Sequence, residues 1–200
     1  MRIKTYLALG DSYSIGEQVS LTESFPYQTV QLLRQAGLQV AAPEIIASTG
    51  FTTDELEAVI YPAALLNQYD FVSLLIGVNN QYRGRSVENF EIEFENLLQK
   101  SIQFAAGNCK AVFVLSIPDW GITPFAEGRD TATIATEIDA YNAVCKSIAA
   151  KYKVNYLDIT SSQRLDGNQI DFLAADQLHP SAKEYAKWAA MLSEKILSAN

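Results

Sequence analysis

Histidine is almost missing from this sequence: His179 is the single one in 200 residues, so any imidazole chemistry happens there or nowhere. Cysteine is nearly as scarce. Cys109 and Cys145 are the only two, too few for a disulfide framework, and with one histidine they leave no zinc constellation. Long apolar runs are missing as well. The stretch 71–78 is well short of a bilayer span, which argues against membrane insertion. Residues 1–9 lack the apolar centre and small-residue cleavage site of a secretory leader. The expected location is therefore cytoplasmic, a periplasmic or secreted one requiring a leader outside this sequence. Basic residues neither predominate nor cluster: 15 Lys and Arg stand against 23 Asp and Glu, a formal net charge of −8. No face for nucleic acid or anionic lipid is expected. Repeats, low-complexity tracts and linkers are also missing, so residues 1–200 are read as one domain.

What is present is core-forming material, 48% hydrophobic residues against 19% charged, enough to bury a sizeable interior. Short apolar runs at 3–9, 44–47, 71–76, 111–116 and 154–159 read as strands, and longer stretches of helical periodicity separate them. In 86–105, Val87, Phe90, Phe94, Leu97, Leu98 and Ser101 recur at spacings of three and four with acids between them, which predicts an amphipathic helix. In 131–152, Ile134, Ile138, Tyr141, Cys145, Ile148 and Tyr152 mark one stripe, so Cys145 reads as a small core hydrophobe. Capping patterns place further helix starts at Thr52, with Glu55 three residues on, and at Ser181, with Glu184 three residues on. The first helix is expected to begin near Ser24, with Pro26 in its opening turn, and to end at Gly37. The stretches 117–129 and 161–177 read as irregular. Strands buried on both faces and separated by helices predict a three-layer α/β/α sandwich around a five-stranded parallel sheet.

In such sheets ligand and catalytic groups gather beyond the carboxyl ends of the strands. Four of those turns are unusual: Gly10-Asp11-Ser12-Tyr13-Ser14, Ser48-Thr49-Gly50-Phe51, Gly77-Val78-Asn79-Asn80 and, after the fifth strand and its loop, Asp176-Gln177-Leu178-His179-Pro180. A serine hydroxyl is a weak nucleophile until a base takes its proton, and that base needs an orienting acceptor on its other nitrogen. Asp176 and His179 are three apart in a turn, a spacing that lets the carboxylate reach Nδ1 locally and leaves Nε2 to face Ser12. A tetrahedral intermediate also needs donors for its oxyanion. The candidates are the backbone amides of Ser12 and Gly50 and the side-chain amide of Asn79, Gly50 being read as lacking a Cβ that would obstruct the approach.

These four blocks, in order and spanning residues 10–180, resemble the SGNH (GDSL-type) hydrolases, a group of esterases, lipases, thioesterases and acetylesterases. The resemblance implies a flavodoxin-like sandwich, Ser12 as nucleophile, His179 as base, Asp176 as its orienter, and Ser12, Gly50 and Asn79 as oxyanion donors. It implies hydrolysis of a small-molecule carboxylic ester, or of a thioester or acetylated carbohydrate, through an acyl-enzyme and with no cofactor. Two positions depart from the family pattern: Asn80 stands where Asp is common, and Tyr13 where Leu is often found.

Plainer readings exist for each residue. Ser12 after a strand can be a turn or cap serine, Asn79 and Asn80 can terminate a strand, Gly50 can be a turn glycine, and a lone histidine is by default structural. Their co-occurrence at one sheet edge is what favours chemistry. An acyltransferase using the same residues, or a binding module that has lost turnover, are the alternatives. There is no Gly-x-Gly-x-x-Gly, no Walker lysine and no Gly-x-Ser-x-Gly elbow, and the acids around Asp166-Gly167-Asn168 have the wrong spacing for a calcium loop. Of the nearby aromatics Tyr13, Phe51, Tyr82, Trp120 and Phe125, the first choices for a substrate pocket are Tyr13 and Trp120. Arg83 and Arg85 read either as a solvated loop or as contacts for an anionic substrate.

Overall fold

The computed structural model describes residues 2–199. Five parallel strands, β1 (Tyr6–Gly10), β2 (Glu44–Ala47), β3 (Phe71–Leu75), β4 (Val112–Leu115) and β5 (Asn155–Leu157), form one sheet in the order β2-β1-β3-β4-β5. Among the described residues eight helices accompany it: α1 (Ser12–Ile15), α2 (Phe25–Gln35), α3 (Thr53–Ile60), α4 (Val78–Tyr82), α5 (Val87–Phe104), α6 (Thr131–Tyr152), α7 (Ile159–Asp166) and α8 (Ala182–Ala199). The chain leaves β1 outward to β2, then crosses back to β3. Right-handed crossovers in opposite directions put helices on opposite faces: α2 packs on α8, and α5 packs on α3 and α6. The strands nearest the centre, β1, β3 and β4, are buried along their whole length, whereas every residue of the edge strand β2 is half-buried.

The reversal between β1 and β3 opens a crevice at their carboxyl ends, the place where ligands of open α/β sheets bind. Gly10 makes the first exit from the sheet possible. A Cβ there would collide with the Leu75 carbonyl oxygen on β3 and with Ser14 Oγ, so the chain can turn into α1 against its neighbour strand at that position only without a side chain.

The structure departs from the sequence expectations at several places. β1 begins at Tyr6; Lys4 makes only an isolated parallel bridge to Val40, and Ile3 is exposed. The stretch 161–177 contains most of α7, capped by Asp158, whose Oδ1 accepts from the Ser161 amide at 2.9 Å. Glu184 does not close a capping box on α8. Its buried carboxylate instead accepts from Trp188 Nε1 at 2.9 Å and pairs with Lys187 at 2.8 Å. By contrast, the box at the start of α3 is complete, with Glu55 Oε2 accepting from the Thr52 amide at 2.9 Å.

Candidate active site

The residue after β1 is Asp11, and its carboxylate caps α1 by accepting from the Tyr13 amide at 3.0 Å. That cap fixes a single helical turn whose first residue is Ser12. Asp11 is buried, and its other oxygen meets no hydrogen-bond partner among the described residues. Desolvation pushes its pKa from 3.8 up to about 7, against the lowering effect of the backbone amides it accepts from. The folded chain therefore holds this proton more tightly than the unfolded one, and stability declines as pH rises between those two values. Asp11→Asn keeps an acceptor for the Tyr13 amide and cannot titrate. Between pH 4 and pH 8 its urea-unfolding free energy should move in the variant's favour relative to wild type by roughly 2–4 kcal/mol. A difference that stays constant across this range would contradict the burial argument.

Ser12 and His179, 167 residues apart, meet at the crevice: Ser12 Oγ lies 3.0 Å from His179 Nε2. His179 Nδ1 lies 2.6 Å from Asp176 Oδ2, while Asp176 Oδ1 accepts from the amides of Leu178 and His179 at 3.1 and 3.0 Å. One carboxylate thus holds both the imidazole and the turn that carries it. Desolvation would raise the Asp176 pKa, but the bonds from the His179 ring and the two amides outweigh it and hold the carboxyl below its ordinary value. With Asp176 ionised, Nδ1 carries the proton and donates, leaving the Nε2 lone pair to accept from the Ser12 hydroxyl. Two further bonds brace the turn, from the Ala174 amide to the His179 carbonyl at 2.8 Å and from the Ser181 amide to the Phe172 carbonyl at 2.9 Å.

Ser12, Gly50, Asn79 and His179 line one cavity of about 200 Å³ together with Tyr13, Thr49, Val78, Tyr82, Trp120, Phe125 and Leu178. Both first-choice aromatics are therefore in its wall, as are Tyr82 and Phe125, while Phe51 is not. Asp176 lies behind His179 without lining the space. Gly50 adopts φ +82°, and a Cβ there would meet nothing closer than Arg83 Nη2 at 3.5 Å. The backbone conformation, and not steric obstruction, is what requires glycine here. The Asn79 side chain is oriented by donating one Nδ2 hydrogen to the Phe51 carbonyl at 3.0 Å.

The sequence gives no sign of several supporting contacts, nor of Gln81, Asp119 and Arg164 as residues that make them. Asn80 is fully buried; its Oδ1 accepts from the Thr53 amide at 3.1 Å and its Nδ2 donates to Thr53 Oγ1 at 2.6 Å, so it ties the start of α3 to α4. The first contact needs only an acceptor, which a carboxylate would also supply; the second needs the NH₂ end of an amide, because Thr53 Oγ1 gives its own hydrogen to Glu93. Trp120 donates Nε1 to Gln81 at 2.8 Å, and the buried Asp119 before it caps the Gly121 amide at 2.9 Å and pairs with Arg164 at 2.8 Å. Arg85 pairs with Asp54 at 2.5 Å and Arg83 with Glu55 at 3.0 Å, so neither is a free cation awaiting an anionic substrate. A larger depression of about 450 Å³ lies at the opposite end of the sheet. Its one acid, the half-buried Asp70, is already engaged by Lys4 at 3.1 Å and by the Thr5 amide at 2.9 Å.

Comparison with known proteins gives the family. Residues 8–187 match the model of the GDSL-like lipase/acylhydrolase family. The chain belongs to that family. Membership gives ester hydrolysis as its class of reaction, at the level of the family. No curated protein is similar enough in sequence to match. Among solved structures, a lipase/acylhydrolase from Enterococcus faecalis is similar at 19% identity and TM-score 0.78, over 98% of this chain and 96% of that one. TesA is similar at 18% and 0.76, over 98% and 100%. The acetylxylan esterase Axe2 from Geobacillus stearothermophilus is similar at 18% and 0.75, over 96% and 94%. At such identities these three neighbours establish the GDSL-type α/β/α fold alone. Among the described residues no helix is long and apolar enough to cross a membrane, and no cluster of His, Cys, Asp and Glu could hold a metal ion.

Proposed function

We propose that this GDSL-family protein is a serine hydrolase that cleaves small carboxylic esters through a covalent acyl-enzyme formed on Ser12. The observation that carries the reading is the continuous relay from Ser12 Oγ to His179 Nε2 at 3.0 Å and from His179 Nδ1 to Asp176 Oδ2 at 2.6 Å, opening on a cavity with the candidate oxyanion donors in its wall. In this reading Ser12 Oγ attacks the ester carbonyl as its proton passes to His179 Nε2. The carbonyl oxygen becomes an oxyanion held by the amides of Ser12 and Gly50 and by Asn79 Nδ2. Collapse of the tetrahedral intermediate breaks the bond to the alcohol oxygen, which takes the proton from His179. Water then repeats the sequence on the acyl-enzyme, with His179 as base, releasing the acid and free Ser12. The reading takes residues 1–200 as one domain, supported by a single sheet whose strands are drawn from most of the chain's length.

The size of the cavity supports a short acyl group. An apolar cavity of about 150 Å³ holds a benzene molecule, so the space of about 200 Å³ walled by Tyr13, Tyr82, Trp120 and Leu178 encloses only a few carbons of an acyl group. Trp120 is held by its Gln81 bond, and Gln81 in turn donates to Glu137 at 2.7 Å, so that side of the wall is braced. A series of p-nitrophenyl esters from two to twelve carbons tests this. The expected result is kcat/KM highest at two to four carbons and at least about 10-fold lower by eight, since misfit of each methylene costs on the order of 1 kcal/mol. A flat or rising series would overturn the short-acyl assignment while leaving ester hydrolysis standing.

A further inference from the structure

Gly50 is the least constrained of the proposed oxyanion donors, because a glycine backbone has the widest conformational freedom and a donor is useful only within about 0.5 Å and 10–20° of its productive direction. Something must hold it. The loop from β2 to α3 supplies one bond of its own, from the Phe51 amide to the Ser48 carbonyl at 3.2 Å. Thr49 Oγ1, one residue before Gly50, donates to Glu17, and further grip comes from α4 and the residue that caps it. Asn79 donates to the Phe51 carbonyl at 3.0 Å and Asn80 engages the Thr53 amide at 3.1 Å. Arg83, at the end of α4, donates Nη2 to the carbonyl of Gly50 itself at 2.7 Å. Its other arm, Nη1, donates to Glu55 Oε1 at 3.0 Å, and the second oxygen of Glu55 accepts from the Thr52 amide. The guanidinium fork therefore spans both ends of the short segment that contains Gly50.

From this geometry we infer that Arg83 is a positioning residue, clamping the Gly50 carbonyl so that the Gly50 amide keeps its direction toward the oxyanion. The inference rests on the proposed role of the Gly50 amide. The Arg83–Glu55 ion pair is exposed, each side chain retaining 40% or more of its accessible surface, so as a pair it contributes little to stability. What distinguishes the contact is the second arm, which a planar fork can place on a carbonyl while the first is on a carboxylate. A clamp of this kind acts on the charged transition state and not on the neutral ester. Its loss should therefore appear in kcat and in transition-state affinity.

The test compares wild type, Arg83→Ala, Arg83→Lys and Ser12→Ala on p-nitrophenyl acetate, with inhibition by a short alkyl boronic acid, whose tetrahedral serine adduct carries the oxyanion. For Arg83→Ala the expected result is a kcat about 10- to 100-fold lower, the range for a small misplacement of a catalytic group. KM should stay within about 2-fold and boronic acid affinity should fall in parallel with kcat. Arg83→Lys, which retains one donor for the Gly50 carbonyl, should recover part of the loss. An Arg83→Ala protein with wild-type kcat overturns the clamp and leaves the function reading intact. A variant whose KM rises with kcat unchanged also overturns it, in favour of substrate contact. If Arg83→Ala does not fold, the lysine variant decides: equal losses in kcat and in boronic acid affinity at unchanged KM support the clamp, and wild-type values for both overturn it. Turnover by wild type that persists in Ser12→Ala would remove the function reading and this inference together.

Discussion

Ser12→Ala is expected to lower kcat on a short-chain p-nitrophenyl ester by about 10⁶-fold, and His179→Ala by a similar factor. The two effects should not add. The hydroxyl and the imidazole act as one unit across the 3.0 Å Oγ–Nε2 contact, so once either is gone the other has nothing to activate or to be activated by. The double variant should be no slower than the worse single one within about 3-fold, and both should keep a residual rate above the uncatalysed reaction from the remaining oxyanion donors. Steady-state rates of the three purified variants measure this directly. Multiplicative losses would mean that the two groups act in separate steps, and a Ser12→Ala protein within about 10-fold of wild type would mean that the nucleophile lies elsewhere.

The second large effect is expected at Asp176. Asparagine there preserves the size of the side chain and an acceptor for the amides of Leu178 and His179, but its NH₂ can donate to the imidazole, which favours the tautomer with the proton on the nitrogen facing Ser12. A loss of about 10⁴-fold in kcat near neutral pH is expected from that reversal. The stability consequence has a definite sign. Because the folded-state pKa of Asp176 lies below the ordinary carboxylate value, its contribution is fully present above that ordinary value and is lost as pH falls through the folded one. Asp176→Asn should therefore be less stable to heat than wild type at pH 7, and the deficit should narrow toward pH 3. A deficit that is the same at both pH values would show that the charge is not what stabilises the turn.

The reasons these residues could be singled out from sequence, and others could not, are physical. Strands buried on both faces leave continuous apolar runs, and the turn after each run is where polar residues, glycine and proline stand out. The Ser12, Gly50 and Asn79 turns are visible for that reason, and their meeting at one edge follows from parallel topology, which brings all carboxyl ends to the same side; the His179 turn is separated from β5 by α7 and stands out through its Asp-x-x-His-Pro residues alone. Short elements are a different matter. α1 and α4 are one turn each, too short for a periodic pattern, and their Ser, Asn and Tyr content reads as loop. α7 is hidden because it is short and mostly hydrophilic, with Ile159 and Leu165 as its only large apolar residues. Glu184 carries a capping-box spacing, yet Trp188 and Lys187 lie one helical turn on and compete for its carboxylate. Spacing alone does not distinguish the two outcomes.

The supporting contacts were the least legible part of the site. Arg83 looks like a loop cation in one dimension, and only the fold brings it 33 residues back to the Gly50 carbonyl. Asn80 reads as a departure from a family pattern, while in three dimensions it is a satisfied buried amide joining α4 to α3. Asp119 and Arg164, 45 positions apart, likewise give no local signal of the ion pair that braces the Trp120 segment. Contacts of this kind depend on sequence-distant pairing, and a pair of side chains has no periodicity to reveal it.

Mapping the site of covalent attachment of a fluorophosphonate tests the central claim, that the Ser12 hydroxyl is the nucleophile activated by His179. The protein, inactivated by a short-chain reagent, is digested and its peptides are weighed. One equivalent of adduct on the peptide that carries Ser12, formed in wild type and suppressed in His179→Ala, is the predicted result. An adduct on any other residue, or undiminished labelling of Ser12 without His179, would contradict the account.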